Sequence, residues 1–316
     1  MHRRAFSSTS SRRLQDVAGV RACVIFNPAA KGQKAARFSR CLDAIATECV
    51  LKETSAPGAA RRLAADAVRE GFETIIAAGG DGTLNEVLNG LGDARDGFAR
   101  ARLGILPMGT VNVFARELGF PMQPDAAWPV LQRAIESRID LGCIEDHSSG
   151  ATRRDYFVQL AGAGLDARAI ERVNWPLKKS VGPLAYVLAG LRALLAKPAE
   201  ITVTAGSKCL TGQLVLIGNG RLFGGPFRIF PDADLRDGLL EVCVFPRANG
   251  WTLFRCGLPL LLRKTLPETT VVRLRTESLN LSATSPTPFE MDGEMGGHLP
   301  ATVSVQKQAL RVLVPG

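Results

Sequence analysis

At 316 residues the chain is too long for one ordinary hydrophobic core, and its 46% hydrophobic content supplies apolar material for two. Lys and Arg number 39 against 30 Asp and Glu, and the resulting net charge of +9 favours an anionic partner such as a nucleotide or a membrane surface. Basic runs interleaved with aromatics are absent, and two Tyr and three Trp are too few for a nucleic-acid interface, so no nucleic-acid partner is expected. Seven cysteines include no Cys-x-x-Cys pair, and Cys23, Cys143 and Cys243, in apolar strand-like runs, read as small buried hydrophobes in a reducing compartment. Three histidines (His2, His147, His298) are too few for a zinc site or a His-based triad, which leaves carboxylates as the expected catalytic bases.

Residues 1–20 are Arg- and Ser-rich without an apolar stretch and are expected to be a disordered basic start. From Arg21 the pattern turns regular. Strands are expected at Ala22–Phe26, Val50–Glu53, Thr74–Ala78 and Leu103–Leu106. Helices are expected near Lys34–Thr47, Ala59–Arg69, Leu84–Leu91, Val111–Leu118 and Pro124–Ser137. Short apolar strands alternating with helices imply βαβ units and a parallel sheet. After Asp140 the period changes. Strands are expected at Tyr156–Ala161, Ile201–Ala205, Gln213–Gly218, Leu239–Phe245, Val271–Arg275, Leu279–Ser282, Thr302–Val305 and Leu310–Val314, several alternating apolar with polar as half-buried antiparallel strands do. Helical stretches interrupt them at Val181–Ala196 and Trp251–Lys264. The first is broken by Pro183 and Arg192 and is too short to span a bilayer. The expected division is an α/β domain over residues 21–138 and a β-rich domain over residues 139–316.

The strongest motif is Gly79-Gly80-Asp81-Gly82-Thr83-Leu84-Asn85-Glu86, set between a strand and a helix. Glycines let the backbone approach a polyphosphate, and the following helix start offers free N–H groups and a positive dipole end. Asp81 beside phosphate implies an accompanying cation, hence Mg²⁺ chemistry. Two further loops fall on the same sheet edge: Asn27-Pro28-Ala29-Ala30-Lys31-Gly32, and Pro107-Met108-Gly109-Thr110-Val111-Asn112. Either alone reads as turn chemistry; three together read as a phosphate site.

These motifs, with Asp140-Leu141-Gly142, Lys179–Leu191, Pro231–Gly238 and Asp292-Gly293-Glu294, run in order over most of the chain. The chain resembles the diacylglycerol kinase catalytic family, and most closely its small bacterial lipid kinases. The resemblance implies a phosphofructokinase-like doubly wound α/β domain followed by a β-sandwich, with ATP in the cleft between them and a lipid hydroxyl as acceptor. Carried over by position, Asn27, Pro28, Ala29, Ala30, Lys31, Thr54, Gly80, Asp81, Gly82, Thr83, Leu84, Asn85, Glu86 and Thr110 would contact ATP. Glu294 would be the general base, Asp140 would join a magnesium–water network, and Asp237 with the carbonyls of Asp234 and Leu239 would bind a structural Mg²⁺. Asp292-Gly293-Glu294 also suits a plain hairpin turn.

One position departs from the family. Asn112 is followed by Val113 where relatives commonly carry Asp, which removes a carboxylate from the metal's surroundings. An NAD kinase shares Gly-Gly-Asp-Gly, but the Asn-Pro loop and Pro231–Gly238 favour a lipid kinase. A non-enzymatic lipid- or nucleotide-binding relative is the third reading, opposed by Asp81, Asp140 and Glu294. Trp251, Leu253, Phe254, Leu258 and Leu260–Leu262, with Arg255, Arg263 and Lys264, suit either a membrane interface or a core helix broken by Pro259. The expected location is cytoplasmic and peripheral to a membrane; nothing in the sequence names the lipid or fixes an oligomeric state.

Overall fold

The computed structural model describes residues 21–28, 33–150, 152–164, 167, 199–263, 266–267 and 270–316. The expectations for residues 1–20, for the helix at Val181–Ala196 and for the Lys179–Leu191 match lie outside these described residues.

Four parallel strands, β1 (Ala22–Phe26), β2 (Val50–Glu53), β3 (Thr74–Gly79) and β4 (Arg102–Pro107), lie in the order β2-β1-β3-β4. The helices among them are α1 (Gln33–Glu48), α2 (Ala59–Arg69), α3 (Asp81–Asp93), α4 (Gly97–Arg100), α5 (Val113–Glu117) and α6 (Pro124–Gln132). Their apolar faces, including Ala60, Ala64, Ala67, Val87, Leu88 and Leu91, bury in one core with the strand residues Val24, Ile25, Ile75, Ile76 and Leu103. This is the predicted doubly wound arrangement, and strand order reverses between β1 and β3. The crevice therefore opens above the carboxyl ends of those two strands, where Asn27 and Gly79-Gly80 sit.

The remaining strands are β5 (Ile135–Asp146), β6 (Arg153–Phe157), β7 (Leu160–Gly164), β8 (Ile201–Ala205), β9 (Lys208–Gly212), β10 (Leu214–Gly218), β11 (Leu222–Phe223), β12 (Phe227–Arg228), β13 (Leu240–Phe245), β14 (Val272–Thr276), β15 (Ser278–Ala283), β16 (Pro288–Met291), β17 (Glu294–His298) and β18 (Ala301–Val314). A further helix, α7, spans Gly250–Arg263. One sheet, β14-β13-β10-β7-β16-β17, is antiparallel and faces the extension of the other, which runs from β4 through β18, β15, β8 and β9. Between them lies an apolar layer of Ile201, Val203, Val215, Ile217, Val242, Val244, Phe289 and Val303. The two-residue period of the strands sends Leu216, Cys243 and Phe245 to the opposite face, where they pack with Ile229, Phe230 and Cys256 of α7. The result is the expected α/β domain with a β-sandwich.

Three departures from the sequence reading have identifiable partners as their causes. Helix α6 stops at Gln132, and Ile135–Asp146 forms a strand because β18 pairs along its whole length, from Ile135↔Val314 to Asp146↔Ala301. The segment Tyr156–Ala161 is two strands, since Val158–Leu160 turns to donate its N–H groups to Asp292. The two predicted C-terminal strands are one, bent where Gln308 takes a φ of 48°.

Strand β6 is held to α3 by a side chain that imitates a neighbouring strand. Asn89 donates to the Tyr156 carbonyl at 3.0 Å and accepts the Tyr156 N–H at 2.8 Å. Asn89→Ala leaves both backbone groups without their partner and is expected to cost about 2 kcal/mol. Urea unfolding checks this, and an unchanged midpoint would show that β6 is held by other contacts.

Candidate active site

Helix α3 begins at Asp81, three residues earlier than the apolar pattern implies, so the Gly-Asp-Gly-Thr motif is itself the first helical turn. Its N-terminal N–H groups point into the crevice, as an anion site requires. The adjoining loop is zipped onto it. Met108 and Gly109 both donate to the Gly79 carbonyl, at 2.8 and 3.3 Å. A Cβ on Gly109 would lie 2.5 Å from the Gly80 Cα, so the two backbones come this close only because both residues are glycine.

The Asp81 carboxylate faces α5. Its Oδ1 accepts the Val113 N–H at 2.7 Å, and the N–H groups of Asn112 and Phe114 also bond to the carboxylate. Burial pushes the Asp81 carboxyl up, and those backbone donors pull it back. Asn112 takes the left-handed φ of 51° and ties its own side chain to the Gly109 carbonyl at 2.8 Å, so it leaves the cap of α5 to Asp81. Val113 is thus the first residue of a helix whose charge partner comes from another loop.

Opposite stands the turn between β16 and β17. Asp292, at φ 50°, accepts N–H groups from Val158, Gln159 and Leu160 at 2.9, 3.0 and 3.0 Å. Burial lifts its carboxyl to about 6, those donors act against the rise, and the Asp81 charge adds to it. Two residues on, Glu294 extends back to α3. Its Oε1 lies 2.6 Å from where a Cβ on Gly82 would stand, so the missing side chain at Gly82 makes room for the Glu294 carboxylate.

Other predicted residues fall on the same rim or away from it. The Thr54 N–H donates to the Phe26 carbonyl at 2.8 Å, which puts it beside Asn27 at the strand ends. Thr110 is exposed on its loop. Glu86 faces α2 instead, accepting the N–H groups of Gly58 and Ala60 at 2.8 and 3.0 Å. Leu84 and Asn85 are buried in α3. Ala29, Ala30 and Lys31 lie outside the described residues. Asp140 is buried, and its two oxygens take the N–H groups of Gly238 at 2.6 Å and Gln308 at 2.7 Å.

Asp237 accepts the Leu239 N–H at 2.9 Å with one oxygen and pairs with Arg275 through the other, while the Asp234 carbonyl accepts the Asp237 N–H at 3.3 Å. These are hard oxygen donors of the type that Mg²⁺ takes. A cation would have to displace the Arg275 guanidinium, so the loop as arranged fits the arginine and not a metal. Among the described residues no group of three or more His, Cys, Asp or Glu converges as metal ligands.

Sequence reasoning passed over Gln159 and Asn219, and gave Asp292 no role beyond its place in the Asp292-Gly293-Glu294 motif. Gln159 joins the Asp292 clamp to Glu117 and to the Leu222 carbonyl, at 3.0 and 2.9 Å. Asn219 bridges the carbonyls of Asp140 and Val158, at 3.0 and 2.8 Å. The one available signal was an Asn between glycines, Gly218-Asn219-Gly220.

The family models agree with this arrangement. The diacylglycerol kinase catalytic domain matches residues 21–144, and the YegS C-terminal NAD kinase beta sandwich-like domain matches residues 159–314. A diacylglycerol kinase of Staphylococcus saprophyticus is 32% identical over 93% of this chain and 95% of its own length. The chain belongs to the diacylglycerol kinase family of lipid kinases, which are phosphotransferases. Among solved structures, a diacylglycerol kinase from Bacillus anthracis superposes with a TM-score of 0.75 at 22% identity, covering 97% of this chain and 98% of that one. A yeast NADH kinase complexed with NADH shares the fold alone, with a TM-score of 0.55 at 8% identity over 94% of this chain and 84% of that one.

Two outcomes test the geometry. Asp81→Ala removes the acceptor at the start of α5 and is expected to cost about 1–2 kcal/mol of stability while raising the KM for ATP. A variant that melts like wild type with an unchanged KM would show that the carboxylate does not join the loops. For the Asp237 loop, Arg275→Ala is expected to lower the melting temperature in magnesium-free buffer, whereas added Mg²⁺ leaves the wild type unmoved. A wild-type melting temperature that rises with Mg²⁺ would show a cation displacing the guanidinium.

Proposed function

We propose that this chain transfers the γ-phosphoryl group of ATP to a hydroxyl of a diacylglycerol-like lipid, with Glu294 as general base. The observation that carries this reading is the Glu294 carboxylate standing over Gly82 at the first turn of α3. An anion bound to that helix start would have a proton acceptor beside it.

The polyphosphate would lie on the N–H groups of the α3 start, with Asn27 and Thr54 at the adjoining strand ends and Thr110 on the far rim. Carboxylates at this helix start repel a bare polyphosphate, so the arrangement suits ATP that arrives as its magnesium complex. A magnesium ion carried in with ATP would offset their charge and that of the transferring group. The lipid oxygen attacks the γ-phosphorus as Glu294 takes its proton, the bond to the β-phosphate oxygen breaks, and ADP leaves with the electron pair. Asp292 holds the Glu294 turn in place. Asp140 acts at one remove, fixing the Gly238 loop and β18, and Asn219 ties its carbonyl to the Asp292 clamp.

The lipid would enter from the β-sandwich side, where the apolar layer of Leu160, Leu216, Phe230 and Phe245 starts at the residue whose N–H binds Asp292. No helix among the described residues is long and apolar enough to cross a membrane. Our reading is a peripheral enzyme at the cytoplasmic face, where ATP is available and the seven free cysteines remain reduced.

Incubation of a lipid panel with radiolabelled ATP, followed by thin-layer separation, tests the activity. A labelled diacylglycerol product is expected, and label on no lipid would overturn the reading. Glu294→Gln is expected to lower kcat at least about a hundredfold while ATP still binds. Near-wild-type turnover would remove Glu294 from the mechanism.

A further inference from the structure

We infer that the outward face of α7 docks the protein on an anionic bilayer surface, which deepens the lipid-kinase reading and rests on it. The sequence of α7, GWTLFRCGLPLLLR, has no acidic residue, and its burial is split by helical period. Thr252 and Leu260 are half-buried and Cys256 is 7% exposed; these three, four residues apart, form the inward face. Cys256 and Leu260 pack with Leu216, Cys243 and Phe245 on the sheet beneath. Trp251, 65% exposed, and Arg255, also exposed, stand one turn apart on the other face. Arg247, on the loop leading into the helix, is exposed as well.

An exposed tryptophan beside arginines matches the chemistry of a headgroup region. The indole body is apolar with one polar edge, and the guanidinium groups meet lipid phosphates. The net charge of +9 acts in the same direction at longer range. Position adds a further argument. The apolar layer under α7 continues to Leu160, whose N–H is bound by Asp292, two residues before Glu294. A bilayer against the outer face of α7 would therefore lie over the same layer that leads to the base, as a lipid substrate requires and a soluble partner does not.

Sedimentation with vesicles tests this, using phosphatidylcholine alone and phosphatidylcholine with phosphatidylglycerol as a minor component. The wild type is expected to pellet with the anionic vesicles and to release as salt is raised. Arg255→Ala is expected to weaken binding about fivefold, the factor that one basic residue contributes at such a surface. Trp251→Ala should weaken it by at least as much. Both side chains are exposed, so both variants should fold, and both should phosphorylate a short-chain diacylglycerol dispersed in detergent at the wild-type rate. Variants that pellet like wild type would overturn the docking face, as would a wild type that ignores anionic vesicles yet phosphorylates the dispersed lipid. A wild type that binds vesicles and phosphorylates no lipid would instead overturn the kinase reading and leave the docking face standing.

Discussion

The carboxylate of Asp81 belongs to two helices at once, as the first residue of α3 and as the acceptor for the leading N–H groups of α5. Isolated helix starts leave donors unsatisfied, and one half-buried carboxylate that answers two of them fixes the distance between their loops. The rest of the crevice follows from that distance. Gly80 and Gly109 must touch backbone to backbone, and Gly82 must stay bare so that Glu294 can lean in. The site is therefore a set of close approaches held by charge on one side and by absent side chains on the other.

The opposite wall repeats the device. Asp292 gathers three consecutive N–H groups at the start of β7, and Asn219 and Gln159 spread that order to Asp140, Glu117 and the hairpin at Leu222. Glu294 projects from a turn with little freedom to drift, which suits the role of base proposed for it. The two walls come from different sheets. Alignment of the site is thus a property of the docking between α3 and β6, where Asn89 stands in for a strand.

The α/β half was legible because its signals are local. Val24-Ile25-Phe26 and Ile75-Ile76-Ala77 are apolar throughout, and glycine or proline ends each strand. The β5 strand was hidden because Ile135-Glu136-Ser137-Arg138 has neither period, and only pairing with β18, far along the chain, makes it extended. The motifs fall together on one sheet edge, yet local pattern could not say which way each side chain faces. Glu86 turns to cap α2, and the Asp81 carboxylate turns to α5. Such orientation depends on partners tens of residues away, which periodicity does not encode. Trp251 illustrates the same limit: composition allowed it a core or an interface, and only burial separates the two faces of α7.

Strand β18 lies between β4 and β15 and pairs along all of β5, so the parallel sheet is closed by residues made after every other strand. During synthesis β4 waits as an open edge while the β-sandwich emerges from the ribosome. The α/β half cannot then mature first and hand over to the second, as independent domains do. An unprotected apolar edge of this kind invites pairing with other nascent chains, so a chaperone that shields β4 until β18 is made would matter more here than in a protein built of separable halves.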